Sequence, residues 1–186
     1  MKIVSYNING IRAANKLGII DWIINTNYDI YCFQEIRANE TITRSIFSDD
    51  EQISIFEKNG TDNSNIIDEY YKYYNCGNIP GYAGTMILSK IKPNRVEYGM
   101  KDFFEDEEGR VTTIYFQDLA IVNAYVPNGN SRLEFKMKFL DALTKYLEEL
   151  KEDYSTLCVG DFNIANDEID LTNPKKRKNK SVFLPI

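Results

Sequence analysis

The sequence predicts an α/β domain in which short apolar strands alternate with helical stretches. Three observations carry this. The chain opens strand–helix–strand, with apolar runs at Lys2–Ile8 and Asp29–Phe33 flanking a helical pattern over Ala13–Asn25. Arg110–Gln117 and Leu119–Val126 read as a hairpin turning at Asp118. A long helical stripe over Arg132–Lys151 then leads into another strand, Ser155–Val159.

The elements follow in order. The first strand ends at Asn7, Asn9 and Gly10, and Leu17, Ile20 and Ile24 give the next segment its helical spacing. The second strand ends at Gln34-Glu35. Residues 36–80 are the least readable: Asp49–Glu57 and Ile66–Tyr74 mix charged with apolar residues, and 60–65 is a loop by composition. Gly81-Tyr82-Ala83-Gly84 leads into a strand over Thr85–Ser89, and the acid-rich Asp102–Glu108 turns at Gly109 into the hairpin. Ser131 is placed to cap the long helix, with Glu134 as its capping-box partner. Leu133, Met137, Leu140, Leu143, Leu147 and Leu150 form the stripe expected to face the core. The strand at 155–159 ends in Gly160-Asp161-Phe162-Asn163, and 173–186 shows no periodicity.

With 186 residues the chain fits a single domain, 1–186, large enough to bury a real core. No apolar run reaches the roughly 20 residues of a membrane span, and the N-terminus lacks a signal-peptide core, so a cytoplasmic protein with no membrane partner is expected. Cys32 and Cys158 lie in apolar runs and read as reduced core residues. The net charge of −6 argues against a simple nucleic-acid coat, although Lys175, Lys176, Arg177, Lys178 and Lys180 form a local basic cluster. That cluster suits phosphates or simply a solvated loop. The chain has no histidine, which excludes Ser-His-Asp and Cys-His catalysis within it. Hydrolysis here must rest on carboxylates, amides, tyrosines and a metal.

Three apolar strands end in oxygen-bearing side chains: Asn7, Glu35, and Asp161 with Asn163. Mg²⁺ takes one or two carboxylates plus waters, which Glu35 and Asp161 can supply while Asn7 and Asn163 orient ligands or a water. Taken singly, each is as well explained as a turn or helix cap.

Together with their neighbours they are specific. Ser5-Tyr6-Asn7-Ile8-Asn9-Gly10-Ile11-Arg12, Phe33-Gln34-Glu35, Gly81-Tyr82-Ala83-Gly84-Thr85, Glu108-Gly109-Arg110, Asn123-Ala124-Tyr125-Val126-Pro127-Asn128-Gly129 and Gly160-Asp161-Phe162-Asn163-Ile164-Ala165 occur in that order, followed by Glu168–Pro174. In motif order and spacing the chain resembles the exodeoxyribonuclease III and apurinic/apyrimidinic (AP) endonuclease family of the endonuclease/exonuclease/phosphatase superfamily. The opening and Gly-Asp-x-Asn motifs are shared with phosphoinositide phosphatases, sphingomyelinases and non-specific DNases. The 81–84, 125–129 and 168–174 segments are typical of the DNA-repair branch.

The resemblance implies a DNase I-like sandwich of two mainly antiparallel sheets flanked by helices. It implies Mg²⁺-dependent hydrolysis of DNA phosphodiesters in base-excision repair, with Mn²⁺ as an alternative cation. The implied partner is double-stranded DNA with abasic or 3′-blocked sites. Position by position, Glu35 becomes the principal metal ligand with Asn7 beside it. Asp161 positions or deprotonates the attacking water and Asn163 holds the site in register. Tyr125 lies against the scissile phosphate, and Arg110 contacts phosphate or DNA backbone. Without the family, Tyr125 reads as a packed strand residue and Arg110 as a surface ion-pair partner of nearby acids.

Two departures qualify this. Relatives continue past the Phe-Leu-Pro found here at Phe183-Leu184-Pro185 into an aromatic DNA-binding loop, a further aspartate motif and a terminal Ser-Asp-His. The expectation is therefore a fold incomplete at its C-terminus. Such a chain is either truncated and weakly active, a DNA- or protein-binding remnant, or one piece of a split enzyme that meets a separate C-terminal fragment. Asn166 stands where many relatives have histidine, and Ser181-Val182 where they have a glycine.

Overall fold

Four strands, Ile30–Gln34, Thr85–Ser89, Val111–Tyr115 and Leu119–Tyr125, are buried almost throughout, so each needs cover on both faces. Two stacked sheets with helices outside provide it. The computed structural model describes residues 1–47, 67–165 and 167–170. The strands are β1 (Ile3–Asn7), β2 (Ile30–Gln34), β3 (Tyr71–Asn75), β4 (Thr85–Ser89), β5 (Arg95–Tyr98), β6 (Val111–Tyr115), β7 (Leu119–Tyr125) and β8 (Ser155–Asp161). One sheet runs β1-β2-β4-β3 and the other β5-β6-β7-β8. Only β1–β2 and β7–β8 pair in parallel; the other four pairings are antiparallel.

Alternation along the strands sorts the core into layers. Ile30, Cys32, Ile87, Ile114 and Ile121 point between the sheets. Tyr31, Phe33, Met86 and Leu88 point to the outer face of the first sheet, against Ile11, Ile19, Ile23 and Phe47 of α1 (Ile11–Lys16), α2 (Ile19–Thr26) and α3 (Glu40–Phe47). Val111, Tyr115, Ala120, Val122 and Ala124 meet Phe139, Leu143, Tyr146 and Leu150 of α4 (Leu133–Asp153) on the other side. Burial pushes the Cys32 thiol up to about 12, so it is an inert core residue. Among the described residues no helix is long and apolar enough to cross a membrane.

Several expectations change. The helix over Ala13–Asn25 is two helices, broken where Gly18 takes the left-handed conformation (φ 85°, ψ 33°) and ends the first run. The capping box is absent: Arg132 occupies the N-cap without a side-chain cap, and Glu134 pairs with Lys138 instead. The buried face of α4 is Lys136, Phe139, Ala142, Leu143, Tyr146 and Leu150, whereas Leu133 and Met137 are exposed. The leucine stripe has the right period but a rotated phase. α3, β3 and β5 are elements that the sequence pattern does not announce. Asp49–Glu57, Asn166, the 175–180 basic cluster and Ser181-Val182 lie outside the described residues.

Candidate active site

The register puts the chemistry at one end of the sandwich. Asn7 pairs with Gln34, which pairs with Thr85, and Tyr125 pairs with Asp161. β1 faces β8 across the sandwich, and β2 faces both β7 and β8. The ends of β1, β2, β7 and β8 therefore meet.

The loops at this end are tightly interbonded. The Gly10 amide donates to the Glu35 carbonyl (2.7 Å), the Glu35 amide to Gly84 (2.9 Å) and the Arg37 amide to Ala83 (2.9 Å). Asn9, Glu35, Arg37, Ala83 and Asn163 all have positive φ, so five of the seven such non-glycine residues described lie in these loops. Strained backbone concentrated in one place is characteristic of functional sites.

Asp161 is the centre. Its Oδ2 accepts from Asn7 Nδ2 across the two sheets (2.7 Å), and its Oδ1 accepts from the Asn163 amide (3.0 Å). Asn7 Oδ1 in turn accepts from the Asn9 amide (2.9 Å), and Asn163 Nδ2 donates to the Val126 carbonyl (2.9 Å). In this arrangement both asparagines orient Asp161. Glu35 is paired with Arg37 and its side chain is only 13% exposed.

Tyr125 is the register partner of Asp161. Burial, with the Glu35 charge and a hydrogen bond to Glu35, pushes its hydroxyl well above the ordinary phenol range. Asp161 adds to this and Arg110 opposes it. Tyr125 is thus a neutral hydroxyl at physiological pH, within reach of both acids. The structure therefore assembles Asn7, Glu35, Tyr125, Asp161 and Asn163 into one cluster.

Arg110 belongs to it in a different way from that expected. The residue is 2% exposed, so it is not placed to contact a DNA backbone. Its Nε donates to Glu108 Oε2 (2.6 Å), Nη1 to the Tyr125 carbonyl (3.0 Å) and Nη2 to the Tyr82 hydroxyl (3.3 Å). The guanidinium lies 4.7 Å from the centre of the Tyr125 ring. The ion pair with Glu108 forms, but buried rather than at the surface as expected, and Arg110 is a post under Tyr125.

Glu108 anchors that post, accepting from both Arg110 and Arg132. Burial alone would push its carboxyl up, but the two guanidinium hydrogen bonds outweigh this and hold it below the usual carboxylate range. A depressed folded pKa stabilises the fold above the unfolded value. That contribution is lost as pH falls through the depressed one. Acid titration followed by circular dichroism should therefore show the parent losing stability below about pH 4.5, the ordinary value, and a Glu108→Gln chain losing less over the same window. Equal acid slopes would remove Glu108 as a cause.

Three further residues emerge only from the structure. Gln34 and Asn123, both fully buried, bond between the sheets: Gln34 Nε2 donates to Asn123 Oδ1 (2.7 Å), and Asn123 Nδ2 to the Phe33 and Met86 carbonyls. They sit next to Glu35 and two residues before Tyr125, tying the two strand ends together. Their sequence signal is a polar residue of inward parity inside an apolar run. Lys136 is the third. Burial lowers the pKa of its ammonium, and the Asp161 charge acts the other way.

The donor set suits a hard divalent cation. Glu35 directly follows β2 and Asp161 ends β8, at the same end of the sandwich, and the chain has no histidine. Each ionised carboxylate keeps acceptor capacity beyond the bonds described. No group of three or more His, Cys, Asp or Glu converges among the described residues. Oxygen donors of this kind are those that hard divalent cations take.

Comparison with known proteins agrees with this geometry. Residues 4–184 match the family model described as endonuclease/exonuclease/phosphatase family. The chain is 32% identical over 187 residues to an exodeoxyribonuclease of Bacillus subtilis, covering 98% of this chain and 66% of that protein. It is 33% identical over 190 residues to the DNA repair nuclease APEX1 of Danio rerio, covering 100% of this chain and 56% of the relative. A DNA-(apurinic or apyrimidinic site) endonuclease of Dictyostelium discoideum is 32% identical, with 98% and 47% covered. The chain thus spans about half to two thirds of the length of these relatives. Among solved structures, an AP endonuclease from Archaeoglobus fulgidus superposes with a TM-score of 0.75 at 24% identity, covering 99% of this chain and 65% of that one. A 3′ phosphatase from Neisseria bound to a product DNA hairpin superposes at 0.76 with 20% identity, covering 98% and 65%. These solved neighbours share the DNase I-like two-sheet fold. With one family model spanning 4–184 and relatives named exodeoxyribonuclease and AP endonuclease matching nearly every residue, the chain belongs to the endonuclease/exonuclease/phosphatase family.

Proposed function

We propose that this chain carries the carboxylate site of a divalent-cation-dependent DNA phosphodiester hydrolysis in base-excision repair. The substrate is duplex DNA with abasic or 3′-blocked sites, and the cation is Mg²⁺, with Mn²⁺ as an alternative. The observation that carries the reading is Asp161, at the end where β1, β2, β7 and β8 meet, held on one oxygen by Asn7 of the other sheet and on the other by the Asn163 amide, with Tyr125 as its register partner.

Glu35 and Asp161 would hold the cation, which supplies Lewis-acid polarisation of a phosphoryl oxygen when bound. The chain's own residues supply the rest. Asp161, oriented by two donors and still able to accept, takes the proton of the attacking water. Tyr125, kept neutral by burial beside Glu35, turns its one hydroxyl proton from Glu35 to a non-bridging phosphate oxygen when substrate is bound. Arg110 supports the Tyr125 backbone and ring from beneath.

That no group of three or more His, Cys, Asp or Glu converges among the described residues favours a second reading, a non-catalytic DNA- or protein-binding chain. The test is cleavage of a duplex containing one abasic site, in Mg²⁺ and in EDTA, against a Glu35→Ala/Asp161→Ala control. Cation-dependent incision lost in the control is expected. No incision by a folded sample that still binds the duplex in a salt-sensitive manner would give the second reading precedence.

A further inference from the structure

Lys136 sits where a lysine is costly. It belongs to the inward face of α4 with Phe139, Leu143, Tyr146 and Leu150, and is only 2% exposed. A buried ammonium is retained only against compensating partners. Its Nζ donates to the Asn163 carbonyl (2.6 Å), and Asp161 lies within electrostatic reach. Asn163 is itself in the left-handed region (φ 49°), with its amide on Asp161 Oδ1 and its side chain on Val126. The turn that aims Asp161 is thus held on three sides: by the strand end, by Val126 and by a cation from α4.

We propose that Lys136 is a positioning residue for Asp161. It anchors the Asp161–Asn163 turn to α4 through the Asn163 carbonyl, keeping the Asp161 carboxylate aimed at the water and cation it serves. The catalytic consequence rests on the function proposed above; the anchoring itself does not. The cation, rather than the length or volume of the side chain, carries the role, because a carbonyl oxygen in a low-dielectric turn is matched by a charged donor.

The experiment compares the 186-residue chain with its Lys136→Met, Lys136→Gln and Lys136→Arg variants. Amide hydrogen exchange is followed by NMR, and kcat and KM are measured on the abasic duplex. In the Met variant the Asn163 amide should exchange at least about tenfold faster, the loss of one charge-assisted hydrogen bond, while Phe139–Leu150 keep their protection. In a chain that cleaves, kcat should fall by about tenfold with KM unchanged, and Arg should restore both readouts to within about threefold of the parent. Should Met fail to fold, Gln makes the same neutral comparison. Unchanged Asn163 exchange in the neutral variants, or equal loosening by Met and Arg, would overturn the proposal. A parent without cleavage would count against the proposed function and leave the exchange result to decide Lys136 alone.

Discussion

Replacing Asp161 by asparagine should slow cation-dependent DNA cleavage by about 10³-fold, the middle of the range for a positioned general base. The substitution keeps volume and shape but removes both the charge and the proton-accepting oxygen. Hydrogen bonding sharpens the expectation. Asp161 accepts at both oxygens, from Asn7 Nδ2 and from the Asn163 amide. An asparagine has one oxygen and must turn its NH₂ toward one of these donors. Asn7 cannot relieve the conflict by rotating its amide, because its Oδ1 already accepts from the Asn9 amide. The variant should therefore also lose roughly 1 kcal/mol of stability, the net worth of one hydrogen bond. Single-turnover cleavage and duplex binding, measured side by side, separate the two effects: binding should stay close to the parent while the cleavage rate collapses. A cleavage rate within about threefold of the parent would show that Asp161 is not the proton acceptor.

Gly160→Ala is the substitution expected to damage the fold most. Gly160 is paired with Ala124 in β7, at φ 151°, immediately before Asp161. A Cβ there would sit 1.8 Å from the Ala124 carbonyl oxygen and 2.8 Å from its carbonyl carbon. Backbone must give way, because no flexible side chain is involved. β7 is buried in the centre of its sheet, so moving it disturbs the packing on both faces. Steric overpacking and backbone strain together should cost on the order of 4 kcal/mol, a large part of the 5–15 kcal/mol that stabilises a domain. A fall in Tm of roughly 10 °C or more, or no soluble protein, is expected. Gly18→Ala is the internal comparison. It also occupies a positive-φ position, but its added Cβ meets nothing nearer than Asp21 Oδ2 at 3.8 Å, so it should cost only about 1–2 kcal/mol. Equal melting temperatures for the two variants would show that β8 can separate from β7 at little cost.

Much of the fold is legible locally because strands and helices announce themselves through nearest neighbours. β1, β2, β4, the β6–β7 hairpin, α4 and β8 all fall where apolar period and turn residues place them. β5 (Arg95–Tyr98) is not legible because only Val96 of that edge strand joins the inter-sheet core. The break at Gly18 is not legible because a helical period of 3.6 passes through an isolated glycine without registering its φ. In α4 the leucines have the right spacing, but aromatic residues and Lys136 share the helix. The period survives while the phase depends on what the sheet presents to it.

The candidate site divides in the same way. By itself the sequence determined which oxygen-bearing residues end the strands, Asn7, Glu35, and Asp161 with Asn163, in a chain without histidine, while Tyr125 stood out only through the family resemblance. Only the tertiary structure decided how they are used. Packing of β1 against β8 puts Asn7 on Asp161, and burial turns Arg110 from an expected DNA contact into the support of Tyr125. It also makes Gln34, Asn123 and Lys136 part of the site's framework. The physical reason is range. Strand parity and helix period are set within a few residues, whereas a hydrogen bond between residues 154 positions apart exists only once two sheets have packed face to face.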